Sequence, residues 1–160
     1  TMEMPLFKKI IDELKTTPAE FVYLHQFGES LLVNDVYEMI DYAEDAGIRA
    51  GMSTNAVALT EKNSKKLLNS KLSFLTLSLD GGKQEIYDKF RPGDSWARVE
   101  KNVFKFLDLR KQLTNVEVLY TSSTAIYLLK KSTIKVEIVG IVSPPLATCR
   151  AAGGRSAGHF

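Results

Sequence analysis

Three runs of apolar residues in this chain each end in a short polar cluster, and each cluster precedes a helical pattern. The runs cover 21–24, 48–52 and 72–79, and the clusters cover 25–30, 53–55 and 78–82. Strands that alternate with helices are typical of a parallel sheet with right-handed crossovers. Because ligands bind at the carboxyl ends of parallel strands, the three clusters predict one composite ligand site.

Helical patterns lie before and between the predicted strands. An apolar stripe within 6–14 predicts the first helix, and Asn34 and Gly47 are placed to begin and end the second. Thr60 is placed to cap a third helix, and 116–120 predicts a fourth strand. A longer helix precedes that strand, and its predicted inner face consists of Trp96, Val99, Val103, Phe104 and Leu107. This order predicts an α/β protein with parallel strands.

Composition indicates a globular protein with few special partners. The 160 residues are 44% hydrophobic and 25% charged, with a net charge of +2, as in one domain or part of a larger one. This balance gives no reason to expect nucleic acid or an anionic membrane as a partner. No apolar stretch has the roughly 20 residues that span a bilayer, so we expect a cytoplasmic protein. Cys149, His25 and His159 have no zinc-site spacing, so we predict no metal ligands.

The pattern of strands and helices breaks down after residue 120. We predict a β/α domain over 1–120 and an uncertain continuation over 121–142, with one strand at 134–142. Residues 143–160 contain no acidic residue and no apolar period. They are therefore predicted to be a disordered or misread tail.

The first cluster combines a turn residue with a hydrogen-bond acceptor. Gly28 allows a sharp turn or the close approach of a ligand to the backbone, and Glu29 can accept hydrogen bonds from a cationic amino group. The alternative is a tight turn with an exposed glutamate. His25 fits either a general acid or an edge histidine with its partners satisfied. Arg91, in the loop after the third cluster, can pair with a ligand carboxylate or lie in solvent.

The second and third clusters offer small polar groups. Ser53, Thr54 and Asn55 suit a hydroxyl or carboxylate ligand, although the same residue types also cap helices and form turns. Ser78 and Asp80 alternate along a strand end, so both point to one face, where they match vicinal ribose hydroxyls. Asp80 is also placed to cap the helix that follows.

With their order and spacing, these clusters resemble the radical S-adenosylmethionine (SAM) superfamily over about 21–113. Residues 25–32 resemble its Gly-Gly-Glu-Pro segment, 53–55 its Ser-Thr-Asn-Gly run, 78–81 its ribose-contacting strand end, and 87–91 the segment after it. The most similar subgroup matures peptides or acts on similar substrates, often with an additional cluster domain. The substrate itself is not identified by the resemblance, and a peptide is the candidate.

The resemblance implies an incomplete (β/α) barrel, a partial TIM-like fold, with a SAM site at its rim. The implied SAM contacts are Gly28 and Glu29 to the amino group, Ser78 and Asp80 to the ribose or carboxylate, Ser53, Thr54 and Asn55 along the wall, and Arg91 to the carboxylate. The parent enzyme would cleave SAM reductively at a 4Fe–4S cluster and abstract a hydrogen from its substrate.

The sequence departs from the family pattern at several positions. Phe27 and Ser30 replace the outer glycine and the proline of the first motif, and Ala56 replaces the glycine after Asn55. The Cys-x-x-x-Cys-x-x-Cys loop that ligates the cluster in the family is not in this sequence. We therefore expect a fragment of an enzyme, inactive alone, with no catalytic residue and no metal ligand of its own.

Two other interpretations stay open. One is a cluster-free module that binds SAM or another nucleotide-like ligand on the same rim. The other is an ordinary α/β-barrel enzyme that uses His25 and Glu29 for acid–base chemistry. In either a module or a fragment, exposed strand edges favour self-association.

Overall fold

The computed structural model describes residues 2–25, 27–79, 83–93, 95–113 and 116–120. The helices are α1 (Met4–Leu14), α2 (Val36–Asp45), α3 (Glu61–Asn69), α4 (Gln84–Phe90) and α5 (Trp96–Leu113), with a short 3-10 helix at Ser30–Leu32. The strands are β1 (Phe21–Tyr23), β2 (Arg49–Thr54), β3 (Phe74–Leu77) and β4 (Glu117–Tyr120). The predicted strand at 134–142 and the predicted tail at 143–160 lie outside the described residues.

The four described strands form one parallel sheet in the order β1-β2-β3-β4. Tyr23 pairs with Gly51, and Gly51 pairs in turn with Phe74. Parallel neighbours that follow one another in sequence require a crossover between each pair, and α2, α3 and the α4–α5 segment lie in these intervals. The predicted α/β fold with parallel strands is therefore confirmed.

Side chains on one face of the sheet are buried beneath the helices. Ala50 and Met52 of β2 and Leu75 and Leu77 of β3 are all 0% exposed, and they belong to one core with helix residues such as Ile40. Alternate residues of a strand point to opposite faces. The neighbours of these four residues in the sequence therefore point to the other face.

The opposite face of the sheet carries aromatic side chains that are partly open. Phe21 is 60% and Tyr23 39% exposed, and their ring centroids lie 6.3 Å and 5.8 Å from that of Phe74. Gly51 lies beneath the Phe74 ring, and a Cβ atom at this position would overlap it. The Tyr23 hydroxyl donates a hydrogen bond of 2.8 Å to Thr76 Oγ1. A side chain at position 51 is thus excluded by the rings.

Most helix signals in the sequence match the structure. The α2 stripe is buried, Gly47 has a φ of 80° just after α2, and Thr60 Oγ1 accepts a hydrogen bond from the Asn63 amide. The residue before α2 is Asp35 rather than Asn34, so the predicted cap was wrong by one residue.

Two details of the third crossover, between β3 and β4, differ from the predicted pattern. A separate helix, α4, precedes α5 and buries Tyr87 completely. On α5, Phe106 is fully buried while Phe104 packs only partly against the core. In the part of the chain that the structure describes, no helix has both the length and the apolar character to cross a membrane.

Candidate functional site

The candidate site lies where β1, β2 and β3 end, in the loops that follow them. Because the strands are parallel and adjacent, their carboxyl ends lie along one rim. Hydrogen bonds connect all three loops there. The rim predicted from the three polar clusters is therefore a single connected structure, apart from Gln26 and 80–82, which lie outside the described residues.

Glu29 is the centre of this rim. Its Oε1 atom accepts hydrogen bonds from Thr54 Oγ1 at 2.8 Å and from the Leu31 amide at 3.3 Å. Its Oε2 atom accepts one from the Asn55 amide at 2.9 Å. The preceding Gly28 has a φ of 90°, and a Cβ built on it would meet no atom within 4 Å. Glycine thus permits the turn that presents Glu29, and the backbone at the turn faces open space.

Thr54 joins the three loops. Its hydroxyl donates to Glu29, and its carbonyl oxygen accepts a hydrogen bond of 3.0 Å from the Ser78 amide. Its hydroxyl oxygen also accepts one of 3.0 Å from the Ala56 amide. At 1% exposure the Thr54 side chain points to the covered side of the sheet. It contacts the first and third loops, but it does not face the open side.

The loop after β2 is held in an unusual backbone conformation. Asn55 Oδ1 accepts a hydrogen bond of 2.9 Å from the Val57 amide, which forms the turn that such residues make in loops. Ala56 follows with a φ of 64°, a left-handed conformation that favours glycine. At this position the resemblance noted in the sequence implies a glycine, which adopts such a conformation without strain.

Asn102 on α5 was not singled out by its sequence context. Its Nδ2 atom donates to the carbonyl oxygens of Ala56 at 3.0 Å and Val57 at 3.2 Å. Asn63 similarly donates from Nδ2 to the Ala58 carbonyl oxygen at 2.8 Å. A polar residue within the apolar pattern of α5 is the only sequence signal for Asn102, and it does not reveal the partner.

The remaining predicted residues are distributed around the rim. Ser53 is 7% exposed and lies opposite Thr76 on the open face of the sheet, and Ser78 follows β3. Arg91 lies immediately after α4, where its amide donates to the Tyr87 carbonyl oxygen. Asp80 lies outside the described residues.

An open cleft of about 630 Å³ borders the rim beside β1. Its walls are largely apolar and come from α1, β1, the loop after β1 and the start of α2, and Glu29 and His25 both line it. His25 Nδ1 is buried and has no hydrogen-bond partner among the described residues. The imidazole stands edge-on to Tyr23, with ring centroids 6.2 Å apart. The cleft therefore combines apolar walls with two groups able to accept protons.

Parallel strands, helical crossovers and a polar rim at the strand ends define an α/β protein of the partial-barrel type with a candidate ligand site. Residues 2–137 match the family model of the Radical SAM superfamily, and the chain belongs to this superfamily. The prediction of the family is therefore confirmed. Membership implies SAM and a 4Fe–4S cluster as the cofactors of the family. The roles of individual rim residues stay predictions.

Several proteins of known function resemble part of the chain. AdoMet-dependent heme synthase of Methanosarcina barkeri is 36% identical over 84 residues, which make up 52% of this chain and 24% of that protein. Mycofactocin maturase of Mycolicibacterium smegmatis is 34% identical over 84 residues, which make up 52% of this chain and 21% of that protein. The chain thus spans less than a quarter of either relative.

A solved structure supports the architecture. Native anSMEcpe with bound AdoMet, which is SAM, matches with a TM-score of 0.60 and 18% sequence identity. The match covers 81% of this chain and 40% of that chain. At this identity the likeness shows the fold, and it agrees with the predicted partial barrel.

Proposed function

We propose that this chain forms part of the SAM-binding rim of a radical SAM enzyme. The observation that carries the proposal is the connected rim, in which Glu29 bonds to the loop after β2 and Thr54 bonds to the loop after β3. Such a rim places acceptors and donors from three strands around one ligand. The family match over 2–137 supports SAM as this ligand.

The proposed contacts assign each part of SAM to one region of the rim. The amino group lies at Glu29 Oε2, which accepts one hydrogen bond from the described residues and so has a lone pair left for a second. The Gly28 backbone faces open space beside it. The ribose and carboxylate lie towards Ser78 and Asp80, with Arg91 as a further partner of the carboxylate.

The two family cofactors fit the residues of this chain differently. A SAM amino group fits the Glu29 carboxylate, whereas a 4Fe–4S cluster needs several thiolates and the sequence contains one cysteine, Cys149. Within the described ranges, no group of three His, Cys, Asp or Glu residues is placed to hold a metal ion. We therefore assign the chain a part in binding SAM and no part in ligating the cluster.

In the parent enzyme, a bound 4Fe–4S cluster would supply the electron for reductive cleavage of SAM. The proposed task of this chain is to hold the amino acid end of SAM, orient its ribose and keep both fixed during that step. A peptide substrate is our proposal from the resemblance to mycofactocin maturase. We propose the reducing cytoplasm as the location because thiolate-ligated clusters require reduced cysteines.

The SAM-binding proposal is tested by thermal melting of the 160-residue chain with added SAM. At a hundred times its Kd, a ligand stabilises the folded state by about 2.7 kcal/mol, which raises Tm by roughly 5–10 °C for this size. We expect Glu29→Gln to lose most of this shift. Glu38→Gln, at an exposed carboxylate paired with Lys8, is the matched control and should retain it. Equal shifts in all three proteins would refute the role of Glu29.

A second function is supported by the cleft beside β1. His25 and Glu29 both line it, and His25 Nδ1 is buried without a described partner, as in a general acid that awaits a substrate. Under this alternative the chain has a hydrolytic or isomerising activity that needs no cluster. Loss of such an activity in both His25→Gln and Glu29→Gln, with no SAM-dependent shift in Tm, would favour it.

We also propose that the chain self-associates through β1, which is an edge strand of the described sheet. The Leu24 amide and the Glu20 carbonyl oxygen both bond to β2. Since backbone groups alternate in direction along a strand, those of Phe21 and Tyr23 point to the other edge. Gel filtration with light scattering should show a dimer or larger species. Lysine in place of Phe21, whose side chain is 60% exposed on β1, should leave a monomer, and a monomer without substitution would refute the proposal.

The division of the chain at residue 120 is likewise a proposal. The strand–helix pattern and the described sheet both reach 120. We expect limited proteolysis to give a resistant product that ends near this residue. Cleavage within 2–113 before any cut beyond 120 would contradict the division.

A further inference from the structure

The orientation of Glu29 depends on the loop that follows β2. Two of the three hydrogen bonds to its carboxylate come from the last residue of β2 and the first residue of that loop, namely from Thr54 Oγ1 and from the Asn55 amide. A glutamate has three rotatable side-chain bonds, so a fixed position requires donors that are themselves fixed. Whatever holds the loop therefore also holds the carboxylate.

The Thr54 hydroxyl donates and accepts hydrogen bonds within the protein. It has one proton, which it donates to Glu29 Oε1, and its oxygen accepts from the Ala56 amide. The side chain is 1% exposed. Thr54 therefore lies behind Glu29, on the side away from an incoming ligand.

Asn102 holds the other side of the same loop. Its carboxamide donates to the Ala56 and Val57 carbonyl oxygens, at 3.0 Å and 3.2 Å. These contacts fix the two peptide groups that follow the left-handed residue Ala56, on either side of Val57. Because α5 packs against α3, Asn102 ties the rim loop to the helical layer.

We infer that Thr54 and Asn102 are positioning residues that hold Glu29 ready for a cationic ligand, without touching the ligand themselves. The inference rests on the proposed SAM site. The hydrogen bonds of Asn102 fix the turn at Ala56, and this turn fixes the position of the Asn55 amide. This amide and Thr54 together fix the orientation of the Glu29 carboxylate. Loss of either residue should weaken binding of a ligand that it does not contact.

The experiment uses the 160-residue chain with four substitutions and two measurements. Thr54→Val removes the hydroxyl and keeps the shape, whereas Thr54→Ser keeps the hydroxyl. Asn102→Asp keeps the size and removes both donors. The matched control is Asn69→Asp, at an exposed residue on α3. The measurements are the Kd for SAM by calorimetry and the exchange rate of the Asn55 amide by NMR.

We expect Thr54→Val and Asn102→Asp to raise the Kd by about tenfold and the Asn55 exchange rate by a similar factor. Thr54→Val removes one hydrogen bond to a carboxylate and Asn102→Asp removes two to backbone carbonyls, and either loss is of about this size. Thr54→Ser and Asn69→Asp should leave both values close to those of the unchanged chain. The Met52 amide, within β2, should stay protected in every variant and so exclude global unfolding.

The outcomes separate this inference from the proposed function. If the unchanged chain does not bind SAM but Asn55 exchange responds as expected, the SAM proposal fails and the positioning of Glu29 is supported. Unchanged Asn55 exchange in both Thr54→Val and Asn102→Asp overturns the inference, whether or not SAM binds. An unchanged Kd alongside faster exchange also overturns it, since the rim would then not depend on its support.

Discussion

Replacement of Ala56 by glycine measures the strain in the rim loop. Ala56 has a φ of 64° and is fully buried. A left-handed backbone costs a residue with a Cβ about 1–2 kcal/mol, and glycine removes this cost. Two losses oppose the gain, about 0.8 kcal/mol for the buried methyl group and about 0.4–1 kcal/mol from the greater entropy of the unfolded chain. We expect the free energy of unfolding to change by less than about 1 kcal/mol.

Ala43 provides the matched control because it is also fully buried but lies within α2. Ala43→Gly has no strain to relieve, and it should cost about 2 kcal/mol, of which about 1 is helix propensity and the rest the buried methyl group. Urea unfolding at one pH, followed by circular dichroism, gives both values. If Ala56→Gly destabilised the chain as much as Ala43→Gly, the left-handed strain at Ala56 would be refuted.

Three further substitutions test the packing and charge of the described fold. Gly51→Ala should destabilise the chain by about 1–3 kcal/mol in urea, because the added Cβ overlaps the Phe74 ring; an unchanged midpoint would contradict this packing. Tyr37→Phe removes a buried hydroxyl that has no hydrogen-bond partner among the described residues. Burial of this hydroxyl raises the pKa of Tyr37. The stability of this variant should stay equal or rise by about 1 kcal/mol, and a clear loss would show a missed partner. Hydrogen bonds from Lys15, which has the larger effect, and from Tyr42 lower the pKa of Asp12. Tyr42→Phe should therefore raise that pKa in an NMR titration. An unchanged pKa would exclude the hydrogen bond from Tyr42. The lowered pKa means that the ionised Asp12 carboxylate stabilises the fold at pH values above its unfolded pKa. This stabilisation is lost as the pH falls through the folded pKa. Tyr42→Phe should therefore also weaken the dependence of stability on acid pH.

The sheet and its rim were predictable because they depend on local patterns. Apolar runs at 21–24 and 48–52 are too short for helices and are followed by glycine or small polar residues. The helices between them show a clear apolar stripe, as in α2. Strand order then follows from the preference for short right-handed crossovers. These rules need no knowledge of which side chains meet.

The contacts within the rim were not predictable because they join residues far apart in sequence. Thr54 was expected to line the ligand wall, but its side chain points to the covered face and bonds to Glu29. Asn102 bonds to carbonyl groups more than forty residues earlier, which no spacing rule identifies. The left-handed backbone at Ala56 is similarly hidden, because alanine rarely adopts it. Only the family likeness, with glycine at that position, gave a signal for it.

The central claim is that Glu29 holds the amino group of SAM at the rim, and calorimetry with two ligands tests it most directly. SAM and 5′-methylthioadenosine share the adenosine, but only SAM carries the α-amino and α-carboxylate groups of methionine and a sulfonium charge, so the Glu29→Gln variant is needed to isolate the amino group. A hydrogen bond to a charged group contributes about 1.5–3 kcal/mol, so the unchanged chain should bind SAM roughly ten to a hundred times more tightly. Glu29→Gln should remove most of that preference. If the preference for SAM were the same with glutamine at this position, the claim would be wrong.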